Sequence, residues 1–350
     1  MFSYRINNSL RHSYARAISN CRSFASANIE TDPTERDPAP LFFNKYVQSY
    51  LKTLTTVDYT KVFRSRNDGH KLKPPEYKFL TDEQLYEAKQ IAKNKAKRYL
   101  QMPPVVRQRS DPSVPLCEDP ALKDHDTIKY VFTDITFGLN DRERFVAVRE
   151  PDGTLRHATW QERDRIVQIY FPQPSREMEK PKMFEGEYLK SLLDRNEYIF
   201  ILDRACVQFD PDDPDYQAVT REVYEHIDRE RHFDNLRSTR HFGPMVFHLV
   251  WTKNIDNLLC EMIETGRIKH AAILIRLYHT IYPTLKSAVE RCKVKKDYVE
   301  FIMHYARLDS PRKSTIEKLL QSYKELQHEH QIMEEGIKQA HGIVSETDKV

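Results

Sequence analysis

Glycine is the residue that most limits what this chain can fold into, because only eight glycines occur in its 350 residues. Tight β-turns often need glycine for backbone conformations that other residues avoid, so few of them are expected. The 19 prolines fall mainly between periodic segments, where they end helices. Charged residues reach 31% and hydrophobic residues 39%, which suits helices with one buried face. We therefore predict an α+β protein that is mainly α, with helical hairpins or a bundle and one small antiparallel β-hairpin module.

The start of the chain has an unusual charge distribution. Its first 29 residues contain four arginines, six serines and no acidic side chain. This composition is typical of a mitochondrial transit peptide, so residues 1–25 are predicted to be a presequence and the mature protein to lie in the mitochondrial matrix. The alternative is a basic arm that stays on the protein and binds nucleic acid. Apolar residues here are too scattered for a membrane span, and no membrane contact is expected.

Loss of this presequence changes the charge of the protein. Removing its four arginines takes lysine plus arginine from 55 to 51, against 52 acidic residues. An autonomous nucleic-acid binder usually carries a clear positive surplus, because its affinity comes largely from contacts with phosphates. Any RNA contact must therefore come from local patches, and much of the remaining surface is expected to bind protein neighbours.

Periodicity and chain-breaking residues divide the rest of the chain into five segments. Residues 26–72 are predicted to be a disordered leader and basic N-terminal arm, within which residues 41–55 could form a short helix. The segments that follow are a capped basic helix and Pro-rich linker (73–127), a β-hairpin plus helix core module (128–172), a helical domain (173–310) and a long heptad-patterned C-terminal helix (311–350).

The capped basic helix carries a row of lysines. Thr81 and Gln84 form a capping-box pattern at its start. Lys89, Lys93 and Lys97 recur every four residues along the flank of the apolar face, with no acidic residue at the i+4 positions. Such a row repels itself unless an anion lies against it. It is either a solvated face or an RNA-binding face.

A switch to two-residue periodicity marks the β module. Its predicted elements are strands near 129–137 and 144–149, a turn at 151–153, a strand at 154–157 and a capped helix from 159 to 170. Beyond this module only helices are predicted, near 184–207, 214–230, 244–265, 268–282, 284–307 and 315–340. The last of these has apolar residues at alternating spacings of three and four from Ile316 to Ala340, which indicates a heptad seam. That seam packs either on its own bundle or on a partner helix bound to residues 315–340.

No catalytic, cofactor or metal site is predicted. The sequence contains no glycine-rich phosphate loop, no H-E-x-x-H, no G-x-S-x-G and no C-x-x-C pair. Arginines do recur beside aromatic and hydroxyl residues, a combination that grips phosphates and stacks on unpaired bases. The candidates for RNA contact are Lys89, Lys93, Lys97, Arg98, Arg142, Arg144, Arg163, Arg165, Arg237 and Arg240. Acidic residues are interspersed among the arginines, so ion pairing inside the fold is the competing prediction.

Several of these blocks resemble one protein family. They include Met102-Pro103-Pro104, residues 129–136, residues 142–172 (RERFVAVREPDGTLRHATWQERDRIVQIYFP) and residues 236–247 (LRSTRHFGPMVF). The sequence is similar over residues 73–285 to the animal mitochondrial ribosomal proteins numbered twenty-two in the small subunit.

The resemblance implies a mostly helical, non-enzymatic structural constituent of the mitochondrial small ribosomal subunit, without cofactor. It also implies that the chain bridges rRNA and neighbouring ribosomal proteins for mitochondrial translation. After about Pro283 the chain departs from the family pattern. The alternative is a helical RNA-binding regulator of mitochondrial transcripts, but the even repeat and basic concave face that it needs are not found.

Overall fold

Fifteen helices and four short strands make up the part of the chain that the computed structural model describes, namely residues 36–64, 74, 76–123, 126–290 and 297–340. The predicted presequence lies outside these residues. The helices are α1 (Ala39–Phe42), α2 (Lys45–Thr55), α3 (Tyr59–Val62), α4 (Asp82–Tyr99), α5 (Trp160–Tyr170), α6 (Gly186–Asp194), α7 (Tyr198–Gln208), α8 (Pro214–Glu230), α9 (Phe233–Leu236), α10 (Phe242–Trp251), α11 (Asp256–Glu264), α12 (Ile268–Ile281), α13 (Lys286–Val289), α14 (Tyr298–Leu308) and α15 (Lys313–Ala340). The predicted fold class, α+β and mainly α, is confirmed.

Two of the long helices predicted from sequence are each broken into a pair. The segment 184–207 divides into α6 and α7 at Asn196, and 244–265 divides into α10 and α11 at Lys253. Both residues have a positive φ, 59° and 62°. The amide of the next residue then bonds back to the helix, as Asn254 N does to Leu249 O at 2.8 Å. Glycine usually makes this left-handed helix ending. Because neither break has a glycine at that position, the breaks were not predicted.

A core of long-range helix contacts includes the N-terminal segment. Helix α2 packs against α10 and α12, which lie about 200 residues away, and its Val47, Leu51 and Leu54 are fully buried. Within the segment 26–72, the short helix that the sequence allowed at residues 41–55 is thus present as α2 and is part of the helical core. Burying these apolar side chains favours order, since each contributes roughly 1.5–3 kcal/mol.

The sheet is four-stranded and antiparallel, in the order β1-β4-β3-β2. Its strands are β1 (Pro115–Glu118), β2 (Tyr130–Thr133), β3 (Val146–Arg149) and β4 (Thr154–His157). The predicted turn joins β3 to β4 through Gly153, whose φ is +91°. Strand β1 was not predicted, because it lies in the segment assigned to the Pro-rich linker. It pairs with β4 across a long separation, Cys117 facing Leu155.

A group of charged side chains ties this sheet module to the helical body. Arg109 stacks on Trp160 of α5, with its guanidinium carbon 4.5 Å from the ring centre. Its Nη2 lies 2.6 Å from Oδ2 of Asp213 and 3.2 Å from Oδ2 of Asp164. Asp213 also accepts a hydrogen bond from Asp215 N and so caps α8. Asp213, in the acidic stretch after α7, therefore both caps a helix and binds Arg109.

The long helix α15 is divided into two halves by its surroundings. Ile316 and Leu320 are fully buried, where the first half packs against α11 and α14. From Leu326 onward the apolar side chains are exposed: Leu326 by 64%, Met333 by 65% and Ile337 by 53%. The predicted packing of this helix on its own bundle is thus realised for the first half only.

Candidate nucleic-acid interface

The row of lysines lies on a helix that touches the body mainly near its C-terminal end. Helix α4 contacts α3, where Tyr99 meets the edge of the Phe63 ring at 5.7 Å between centroids. Ala96 is the one buried residue of α4. At the other end, Thr81 and Gln84 form the predicted capping box. The helix therefore presents most of its surface to solvent.

All three lysines of this row, Lys89, Lys93 and Lys97, are exposed, and so is Arg98. Within the described residues none of the four makes an ion pair or side-chain hydrogen bond. The positive charge that the sequence placed here is thus not neutralised by the fold. An anion such as a phosphate chain can reach it without displacing an internal partner.

Exposed aromatic residues accompany the lysines, and the sequence analysis did not single them out. Tyr86 lies one helical turn before Lys89 and is largely exposed, and Tyr77 and Phe79 precede the helix in the same state. Aromatic faces beside cations are what single-stranded nucleic acids stack on. The spacing of Tyr86 from Lys89, three residues, is the signal that could have revealed it.

Arg144 lies inside the protein, 3% exposed. Its guanidinium donates to the carbonyls of Thr136, at 2.8 Å, and Leu139, at 3.1 Å. It also stacks on Phe171, with the guanidinium carbon 3.6 Å from the ring centre. Arg144 therefore holds the loop after β2 in place. It is not available for contact with RNA in this structure.

Arg237 is likewise buried, 3% exposed. Its Nη2 lies 2.6 Å from Oε2 of Glu261 on α11, and its guanidinium carbon lies 5.0 Å from the Phe242 ring centre. Burial lowers the pKa of Arg237, although arginine remains charged at neutral pH. It joins α9 to α11 and offers no donor at the surface.

Three further arginines have partners within the fold. Arg142 pairs with Asp212 at 2.5 Å and Arg240 with Asp203 at 2.6 Å. Arg163 donates to the carbonyl of Asp141 at 3.0 Å, and its guanidinium is partly buried near Trp160. These arginines follow the competing prediction of ion pairing and hydrogen bonding inside the fold. Arg165 differs, since it is exposed on α5 and has no such partner among the described residues.

The candidates thus fall into two groups that the sequence could not separate. One is the exposed group of α4 together with Arg165, and the other is a set of arginines committed to internal structure. No cluster of side chains suitable for a metal ion occurs in the described residues. None of the described helices has the length and hydropathy needed to cross a bilayer.

Known proteins resemble this chain over most of its length. The family model described as mitochondrial 28S ribosomal protein S22 matches residues 40–283. The chain belongs to this family. Small ribosomal subunit protein mS22 of Mus musculus is 41% identical over 309 residues, which cover 88% of this chain and 85% of the relative. The protein of the same name from Bos taurus is 39% identical over 305 residues, covering 87% and 84%.

Membership of the S22 family confirms the resemblance found in the sequence, together with the assignment to a mitochondrial, non-enzymatic ribosomal protein. The S22 match begins at residue 40, so it includes the buried helix α2 as well as the sheet module. It ends at residue 283, after α12. Helices α13 to α15 lie beyond the S22 model, but the two mS22 relatives cover 88% and 87% of this chain, which is more than residues 1–283 contain, so their alignments continue past Pro283.

Proposed function

We propose that this chain is a structural constituent of the mitochondrial small ribosomal subunit that bridges rRNA and neighbouring ribosomal proteins. The RNA side of the bridge is the exposed face of α4, with Lys89, Lys93 and Lys97 at its centre. The observation that carries this assignment is that these lysines have no internal partner in the described residues, whereas most of the candidate arginines do.

The overall charge of the chain also supports RNA binding by α4 and protein binding by the rest of the surface. Lysine plus arginine nearly equals aspartate plus glutamate in the whole chain, 55 against 52, so the protein has no general attraction for polyanions. A local group of cations on one projecting helix is then the part suited to phosphate. Arg98 and Arg165 are exposed and extend the set of candidates, and Tyr86 adds a face for stacking.

Protein contacts supply the rest of the bridge. Large apolar side chains remain exposed on the sheet module, among them Phe132 and Phe137. Exposed apolar groups of this size usually mark places where another protein binds. The far half of α15 is a second such place, and we propose that it receives the partner helix predicted for residues 315–340.

The test replaces the chain in cells by tagged variants and follows small subunits on gradients. Lys89→Gln, Lys93→Gln and Lys97→Gln are combined in one variant, and Lys190→Gln, Lys286→Gln and Lys318→Gln in a control with the same change of charge at scattered exposed sites. We expect ultraviolet crosslinks between residues 82–99 and rRNA in the parent chain. The first variant should lose these crosslinks and enter subunits less well, and the control should behave as the parent.

A parent chain that never sediments with small subunits would refute the proposed function as a whole. A parent chain that sediments with them, but gives no RNA crosslink at 82–99, would refute the role of α4 alone.

A further inference from the structure

The second half of α15, residues 326–340 and here called the distal segment, carries an apolar seam that the described residues leave open. In the first half, Leu319 and Tyr323 pack against the core. Leu326, Met333 and Ile337 continue the same seam in the distal segment and are all more than half exposed. The chain's own helices thus cover the first half of the seam. The seam then extends beyond them for about two heptads, roughly 22 Å at 1.5 Å per residue.

The charges beside this seam select the kind of helix that can cover it. With the seam residues at heptad positions a and d, Glu329 precedes an a position and Glu334 follows a d position. These are the flanking g and e positions, which face the flanks of a partner helix. Both flanks of the distal segment are acidic and exposed. A partner with basic flanks is favoured, and one with acidic flanks is repelled.

A second copy of this chain fits the distal segment poorly. In a parallel pair, position g of one helix meets position e of the next heptad on the other, so Glu329 would face Glu334. In an antiparallel pair, g faces g and e faces e, so two fully overlapping distal segments would place Glu329 opposite Gly336 and Glu334 opposite Gln327, without any attractive charge pair. RNA is disfavoured because the distal segment carries three glutamates, Glu329, Glu334 and Glu335, against one lysine, Lys338.

We propose that the distal segment docks one amphipathic helix of a different protein, with an apolar heptad seam and lysine or arginine at its flanking positions. This inference rests on the proposed function, because it takes the partner to be a neighbour in the same subunit. His330 occupies an a position within the seam, with Nδ1 3.5 Å from Oε1 of Glu334. A polar residue at such a position fixes the register of the partner.

The test uses the full chain assembled into small subunits. A photo-activatable benzophenone amino acid replaces Met333 in the seam, or His328 on the opposite face as the control. We expect the Met333 probe to crosslink to one protein, at a helix with heptad apolar spacing and basic flanks, and the His328 probe not to reach that helix. A crosslink to a second copy, to rRNA, to the body of the same chain or to a segment without this pattern would overturn the proposal, as would the absence of any crosslink.

A charge exchange provides the second measurement. Glu329→Lys and Glu334→Lys reverse the flanks, and Glu325→Lys and Glu335→Lys make the same net change away from the flanks. Per assembled chain, the first pair should lower the Met333 crosslink roughly fivefold relative to the second. Equal yields would count against the docking mode. Absence of the chain from small subunits in all variants and in the parent would instead refute the proposed function.

Discussion

Nη2 of Arg109 lies 2.6 Å from Oδ2 of Asp213, and this pair joins two parts of the chain that are 104 residues apart. Arg109 is only 8% exposed in its side chain, and Arg176 is a second cation near Asp164, with Nη2 3.9 Å from Oδ2 of that carboxylate. Burial raises the pKa of both Asp164 and Asp213, so these carboxylates need a cation to stay ionised. The connection between sheet module and helical body therefore depends on Arg109.

Arg109→Met is expected to lower the free energy of unfolding by about 3 kcal/mol, because it leaves buried carboxylates without their main partner. Thermal and chemical denaturation measure the change. The matched control is Arg107→Met, at an exposed position two residues earlier, which should change stability by less than about 0.5 kcal/mol. The deficit of Arg109→Met should shrink as the pH is lowered, since the carboxylates then become neutral. A deficit that does not change with pH would mean that lost packing on Trp160 is the cause.

Gly153→Ala should destabilise the sheet through a clash as well as through backbone strain. A Cβ at this position would lie 2.3 Å from the backbone oxygen of Asp119, and the φ of +91° is unfavourable for alanine. Gly138 has a similar φ, +89°, but open space around it. We expect a loss of about 1 kcal/mol for Gly138→Ala and at least twice that for Gly153→Ala. Equal losses in denaturation experiments would show that strand β1 yields to the added methyl group.

Stability should fall as the pH drops from 7 to 5, and His248 should account for part of the fall. Burial lowers the pKa of His248 to about 4, whereas an unfolded histidine titrates near 6.5. Below pH 6.5 the unfolded state therefore binds a proton that the folded state does not. The contribution of His248 to the free energy of unfolding is full above pH 6.5. It is lost progressively toward pH 4, by about 2 kcal/mol between pH 6.5 and 5.

Burial lowers the pKa of His241, His270 and His279 as well, and these act in the same direction. His248→Gln should flatten the dependence of the melting temperature on pH, whereas His328→Gln, at an exposed site of α15, should leave it unchanged. If His248→Gln and the parent show parallel curves, the pKa of His248 does not differ between the folded and unfolded states.

The affinity of the α4 face for RNA should fall with salt concentration by an amount set by the number of phosphate contacts. Each phosphate contact adds about 0.7 to 0.9 to the slope of log affinity against log salt concentration. Combining Lys89→Gln, Lys93→Gln and Lys97→Gln should thus reduce that slope by about 2 when the protein binds an rRNA fragment. The folded state should keep its stability, because these side chains are exposed. A slope unaffected by the three substitutions would mean that the lysines are only solvated.

Local signals in the sequence were sufficient to predict several elements of the fold. The capping boxes at Thr81 and Thr159 and the turn at Gly153 all form where the pattern predicted them. Each depends on residues within a few positions of one another, so a short window contains the information. The mainly helical class follows from the same local patterns.

What the sequence did not reveal depends on distant parts of the chain. Arg144 and Arg165 look alike in sequence, yet Arg144 is enclosed by the loop at 134–139 and by Phe171. Strand β1 exists because β4 pairs with it. The buried state of α2 depends on α10 and α12. None of these neighbours can be read from periodicity.

The capped start of α4 and its anchoring near Tyr99 have a consequence for assembly. A free helix of this length is only marginally stable in water, but here both ends are secured by contacts within the chain. The lysines are therefore already aligned before any RNA arrives, and docking does not have to include the entropy loss of coil-to-helix folding. The α4 face is therefore preorganised for RNA, which favours early and reversible encounters during assembly of the subunit.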